Sequence, residues 1–250
     1  MRWIDRRRRL WPLVVMCCGA GMAQQAAPPP AAMAPPQTGA MPAVPAAPRA
    51  TVAPRFMVVL DAAHGGSDIG ARISSSLLEK DITLNLSVLL RSTLSAHGVG
   101  VITTRESDVN LTPTARAETA NGASAAACIL IHATATGSGV HLYTSSLAPA
   151  PLVKFMPWQT AQSAYVTQSL KLSSEIDSAL AHAEIPVTLG RTSLQPMDSF
   201  ACPAVAVEVA PLQPGATTNG KAISDVGYQK SIIDALTAAI EQWRNDWRQQ

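Results

Sequence analysis

The sequence predicts an α/β fold: a single domain with a mostly parallel, twisted sheet and helices on both faces. Three observations predict it. Short apolar runs alternate along the chain with stretches of helical periodicity, the pattern of strand–helix–strand units. The runs are apolar throughout instead of alternating, as strands covered on both sides are. Residues 55–250, about 195 residues, suffice for one sizeable core.

The chain before this domain has a different character. Residues 1–23 have the layout of an export signal. Arg2 and Arg6 to Arg9 form a positive start, and Leu10 to Gly21 is apolar but too short to span a bilayer. Gly21-Met22-Ala23 then offers a cleavage site after Ala23. Cys17 and Cys18 raise a lipid-anchored alternative, against which Met16 is a poor small residue before a lipidated Cys. Residues 24–54 are almost all Ala, Pro, Gln and Met, a composition that buries no core and predicts a disordered or extended tether. The expected location is therefore exported, in the periplasm or cell envelope.

The domain, residues 55–250, opens with a strand at Phe56–Asp61, followed by His64 and the Gly65-Gly66 pair. Ligands in open α/β sheets gather past the carboxyl ends of strands. After a loop to Leu78, the positions Ile82, Leu86, Leu89, Leu90 and Leu94 mark an amphipathic helix that Gly98 ends. Val99–Thr103 is a second strand, Leu111–Ala120 a short helix, and Ala125–Ile131 a third strand with His132 at its end. Val140–Thr144 is a strand, and Trp158–Ala183 a long helix. Pro186–Met197 is extended, Pro203–Val209 is a buried strand carrying Glu208, and Ser224–Trp247 is the last helix.

Charge and cysteine content narrow the function. Residues 1–23 carry five Arg and one Asp, so their removal takes the formal charge from +2 to −2. A chain without basic excess has no electrostatic basis for binding nucleic acid. Cys128 and Cys202 would remain; an exported chain could pair them, but both adjoin apolar runs, and the expectation is unpaired, buried thiols.

Three strand-end or loop-end positions carry metal-competent side chains: His64, Glu79 and His132. Two imidazoles and a carboxylate with an open fourth position form a ligand set of catalytic zinc. Taken alone, Glu79 beside Lys80 and Asp81 reads better as a first-turn carboxylate favoured by the helix dipole. Glu208 inside an apolar strand is costly without a partner or a task.

Several ordered motifs resemble the zinc-dependent N-acetylmuramoyl-L-alanine amidases of bacterial cell walls. Asp61-Ala-Ala-His64-Gly-Gly-Ser-Asp68-Ile-Gly-Ala resembles their opening motif, and Glu79-Lys80-Asp81 their second. Thr104-Arg105, Asp108, Leu111, Arg116-Ala117 and Asn121 follow in order. Ile131-His132-Ala133 resembles the third motif, and Pro203-Ala-Val-Ala-Val-Glu208 the last. The resemblance implies a Zn2+ held by His64, Glu79 and His132, with Glu208 as the catalytic carboxylate. It implies peptidoglycan as substrate and the amide between N-acetylmuramic acid and L-alanine as the bond cut. A zinc peptidase acting on the stem peptide, or a silent wall-binding module, are the rival readings. Targeting falls to the domain itself or to a regulatory protein partner.

The chain departs from the family at three places. Ala62 replaces the usual Pro, Thr134 the usual Asn, and Val-Ala-Pro-Leu follows Glu208 instead of Gly-Phe-Leu-Ser-Asn. Ala62 lacks the rigidity of proline, which would leave His64 less firmly placed. The glycine pair after His64 is expected to keep bulk away from the metal. Asp61 is either a group orienting a ligand histidine or a strand-end cap, and Asp68 shapes the loop. Arg105 and Arg116 are expected to make structural ion pairs. His97, His141 and His182 look incidental, and the tryptophans of the last helix are core.

Overall fold

A computed structural model of the chain describes residues 56–215 and 219–248. The expected signal, residues 1–23, and the tether, residues 24–54, lie outside the described residues. Six strands, β1 (Met57–Ala62), β2 (Gly100–Thr103), β3 (Ala127–Ala133), β4 (Val140–Ser145), β5 (Val187–Thr192) and β6 (Ala204–Val209), form one sheet in the order β2-β1-β3-β6-β4-β5. All neighbouring pairs are parallel except β4 with β6. The carboxyl ends of β1, β3 and β6 therefore share one rim with the start of β4.

Helices cover both faces, unevenly. Helices α1 (Glu79–Ala96), α3 (Val166–His182) and α4 (Val226–Arg248) supply Leu86, Leu90, Ile176, Leu236 and Ile240 to a core against Leu60, Ile129, Ile131 and Val207. Among the described residues the opposite face carries α2 (Pro113–Gly122) and the 3-10 turn Met197–Ser199, with Ala117, Ala120, Met197 and Phe200 on Val59, Leu130 and Ala206. Side chains alternate along a strand. Continuing Cys128 and Leu130 by two places brings His132 to this thinly covered face, and continuing Ala204 and Ala206 brings Glu208 there.

Local chemistry explains the element ends. Thr112 caps α2, its Oγ1 accepting the Ala115 N–H at 3.2 Å, and Pro113 occupies the first turn where its missing N–H costs nothing. In α4 the Trp243 indole donates to the Ala126 carbonyl at 2.9 Å, and Trp247 meets Phe56 edge to face, so the tryptophans are structural.

Two expectations change. The stretch Trp158–Ala183 is not one helix: Trp158–Ala164 is 3-10, with non-helical Thr160, and α3 begins only at Val166. Gln162 is the physical reason. It is fully buried, donates to the Phe200 and Cys202 carbonyls at 2.9 Å each, and accepts from Ser169 at 2.6 Å. Satisfying those carbonyls fixes the turn in place of a continuous helix. The second change is that Cys128 and Cys202 form a disulfide, with Cα atoms 6.1 Å apart. Cys128 lies in β3 and Cys202 just before β6. Pairing of these neighbouring strands brings together two thiols that are 74 residues apart in sequence.

Candidate metal centre

His64 follows β1 in a left-handed conformation, φ 61°. A side chain there costs about 1–2 kcal/mol and persists only when the surroundings hold it. Two buried arginines hold it. Arg116 donates to the carbonyls of Ala62 and His64 at 2.7 and 2.6 Å and to Asp61 at 2.7 Å. Arg105 donates to the carbonyls of Ala62 and Ala63 at 2.9 Å each. The absence of proline at Ala62 therefore does not leave His64 loose, because the carbonyls around it are tied down. Arg116 makes the structural ion pair expected of it, with Asp61, whereas Arg105 works through backbone carbonyls.

Asp61 does not orient the histidine. Its Oδ1 is taken by Arg116 and by Thr104 at 2.5 Å. The orienting carboxylate is Asp68, both of whose oxygens lie 2.9 Å from His64 Nδ1. With Nδ1 so engaged, Nε2 faces Glu79 Oε2 at 3.2 Å.

Glu79, the first residue of α1, is buried between the two imidazoles. Oε2 accepts the Ala71 N–H at 2.8 Å, Oε1 accepts the Ala133 N–H at 3.1 Å, and His132 Nδ1 lies 3.0 Å from Oε1. Burial would raise its pKa. The hydrogen bonds from His132, His64, Ala71 and Ala133 outweigh that and hold it far below the ordinary carboxylate range. It is ionised at every physiological pH. The same contact raises the pKa of His64 above 6.5, against burial and with help from Asp68.

The ligand atoms of His64, Glu79 and His132 all lie within 4.8 Å of one another. Two nitrogens and an ionised oxygen converging on one point, one imidazole fixed by an outer carboxylate, fit a divalent metal of the zinc type. The glycine that makes room is Gly70, not the pair after His64. A Cβ at Gly70, φ +62°, would stand 2.6 Å from both Glu79 Oε2 and His64 Cδ2. Gly65 and Gly66 instead pack on the backbone of Val109 and Asn110. Asp108 accepts the Gly66 N–H at 2.7 Å, and Lys80 bridges Asp108 and the Gly66 carbonyl at 2.6 and 2.9 Å.

Glu208 stands beside His132 in the register of β3 and β6. Both line a cavity of about 280 Å³ with Tyr143, Thr192, Leu194 and Ala206. A smaller one, about 110 Å³, is also lined by His132, with His64, Asp68, Arg116 and Gln195. The atypical residues after Glu208 are built into the backbone. Ala210 N–H and Gly139 O pair at 2.9 Å, Gly139 N–H donates to Pro211 at 3.2 Å, and the buried Tyr228 hydroxyl donates to Ala210 O at 3.0 Å.

One site residue was not legible in the sequence. His141 of β4, which looked incidental, places Nδ1 2.7 Å from Glu208 Oε2. Only the antiparallel register of β4 on β6, which sets His141 opposite Glu208, reveals it. His97 pairs with Glu241, and His182 with the Ser178 carbonyl, both away from the site.

Comparison with known proteins gives the family. A family model described as N-acetylmuramoyl-L-alanine amidase, Amidase_3, matches residues 58–242. The germination-specific N-acetylmuramoyl-L-alanine amidase of Bacillus subtilis (strain 168) is 47% identical over 57 residues, 23% of this chain and 24% of that protein. The amidase AmiC of Neisseria meningitidis serogroup B is 30% identical over 134 residues, 50% of this chain and 32% of that protein. The chain thus spans about a quarter to a third of the length of these curated relatives. Among solved structures, the catalytic domain of CwlV from Bacillus (Paenibacillus) polymyxa aligns with TM-score 0.58 at 22% identity, covering 76% of this chain and 98% of that one. At that identity the likeness speaks for the fold alone. With the family model matched over most of the chain, residues 58–242, the chain belongs to the N-acetylmuramoyl-L-alanine amidase family Amidase_3.

Proposed function

We propose that the chain is an exported, zinc-dependent N-acetylmuramoyl-L-alanine amidase acting on peptidoglycan. The observation that carries the reading is the convergence of His64, Glu79 and His132, with Glu208 beside His132 in strand register. When bound, Zn2+ supplies Lewis acidity, which lowers the pKa of a water and polarises the scissile carbonyl.

His64, Glu79 and His132 hold the ion, with Asp68 fixing the face that His64 presents. Glu208 takes a proton from the attacking water and passes it to the leaving nitrogen. The hydroxyl adds to the lactyl carbonyl carbon, the C–N bond breaks, and L-alanine leaves with a free amino group. The cavity beside Glu208 and His132 would receive the substrate at the point where this transfer occurs. Export is supported by the signal-like residues 1–23 and by the Cys128–Cys202 disulfide, which persists in an oxidising compartment.

Metal analysis of the purified chain is expected to return about one zinc per chain. Digestion of purified peptidoglycan is expected to release stem peptides with a free L-alanine amino end. The Glu208→Ala variant is expected to keep its zinc and lose at least about 100-fold in rate. Cleavage within the stem peptide would assign the chain to the rival peptidases. Zinc without any cleavage would make it a silent wall-binding module. An active, zinc-loaded Glu208→Ala protein would remove Glu208 from its role. N-terminal sequencing of the exported protein, expected to start at Gln24, tests the signal.

A further inference from the structure

Strand β4 turns an imidazole toward the carboxylate of Glu208, and no step above uses it. We propose that His141 is a positioning residue that holds the Glu208 carboxylate in the orientation its proton transfer needs. The inference rests on the amidase reading of the same site.

The contact is short and directional, 2.7 Å from His141 Nδ1 to Glu208 Oε2. It is built into the sheet, because the antiparallel register puts the two residues opposite each other on neighbouring strands. Cross-strand neighbours at such positions have side chains within reach on one face. The histidine side chain is 13% exposed and the glutamate 29%, so the imidazole is the more deeply buried partner.

The other edge of the ring is also fixed. It lies against Gly137, φ +87°, where a Cβ would overlap Cε1 and Nε2 of the imidazole. The ring thus lies between the Gly137 turn and Glu208.

The arrangement divides the two oxygens of the carboxylate. With its proton on Nδ1, the imidazole donates to Oε2. Oε1 makes no hydrogen bond to the described residues, which leaves it available for water. Glutamate otherwise has three rotatable bonds at the mouth of a cavity, and a base that wanders loses rate steeply. Glu79 is fixed by four partners, whereas among the described residues Glu208 has this one.

The test compares the zinc-loaded full chain with His141→Leu and His141→Asn. Leucine fills the space without a donor, whereas the asparagine amide nitrogen can stand where Nδ1 stands. His141→Leu is expected to lower kcat by about 10- to 100-fold, with zinc content and KM unchanged. His141→Asn is expected to recover most of that loss. Long-range 1H–15N correlation spectra give a readout without turnover: His141 carries its proton on Nδ1 in the parent protein and loses that preference in Glu208→Ala. Wild-type kcat in His141→Leu, equal impairment in both variants, or a His141 proton on Nε2 in the parent protein each overturns the proposal. A parent chain inactive on peptidoglycan overturns the amidase reading instead, and the spectra then decide the His141–Glu208 pairing by themselves.

Discussion

Glu79 and Glu208 are the same side chain at the same rim, yet their surroundings give them opposite tasks. Glu79 is buried and accepts from two backbone N–H groups as well as from two imidazoles, so its charge is permanent and its position fixed. That suits a ligand. Glu208 is partly open to a cavity and held through one oxygen, which suits a group that takes and returns a proton. The contact that fixes Glu79 also sets a pH dependence through His64. The pKa of His64 is raised above 6.5 by Glu79, against burial and with help from Asp68. A raised folded-state pKa stabilises the metal-free protein fully below the unfolded value, and that contribution is lost as pH rises through the folded value. Metal uptake runs the other way, because Nε2 must shed its proton before it can bind. Zinc affinity is expected to weaken by up to about tenfold per pH unit as pH falls below the raised pKa of His64. Over the same range the stability of the metal-free protein is expected to improve as far as His64 contributes to it. Calorimetric titration with zinc between about pH 6 and about pH 9 checks this, and a flat affinity would sink it. Asp68→Asn removes one of the causes and is expected to move the transition to lower pH.

At the scale of elements, what was legible follows from what each pattern encodes. The apolar stripe of α1 and the apolar runs of β1, β3 and β6 state burial directly, so those elements lie where the periodicity put them. His64 and His132 were legible because each ends an apolar run, and Glu79 and Glu208 because the motif order singled them out. Features that depend on which strands become neighbours were not legible. Nothing local says that β4 runs antiparallel beside β6, so the partner of Glu208 was missed. Nothing local says that Cys202 lands next to Cys128, and nothing in the stretch from Trp158 reveals that Gln162 caps two carbonyls 38 and 40 residues away. The disulfide carries a prediction at this scale. It closes a long loop, 74 residues in sequence separation, onto strands that already pair, the Cys128 N–H donating to Pro203 O at 2.8 Å. Its main effect is therefore on the unfolded chain. The double variant Cys128→Ala, Cys202→Ala is expected to fold and to lose about 2–5 kcal/mol, with a larger denaturant slope from a more expanded unfolded state. Urea titration of both proteins measures it, and coincident midpoints would show that the bond adds no stability.

At the scale of the whole molecule, the candidate metal centre lies at the rim of a sheet whose two faces are already packed. One core joins α1, α3 and α4 to the sheet, the other joins α2 and the Met197–Ser199 turn, and neither passes through the metal site. Within the site, each Glu79 oxygen has a backbone donor of its own, Ala71 N–H on Oε2 and Ala133 N–H on Oε1. This differs from small zinc domains, where metal binding supplies the folding free energy outright. Chelation is therefore expected to leave the far-ultraviolet circular dichroism unchanged while lowering Tm. Zinc at 100 times its Kd adds about 2.7 kcal/mol to the native state. For a domain of about 190 residues, each kcal/mol moves Tm by about 2–4 °C. The expected loss on adding a chelator is then about 5–11 °C, restored by zinc and absent in a Glu79→Ala variant that binds none. Unfolding of the sheet on chelation would mean that the metal is a structural keystone and that the two cores do not suffice. An unchanged Tm in the parent protein, with zinc shown to be removed, would mean that the three side chains do not hold it with useful affinity.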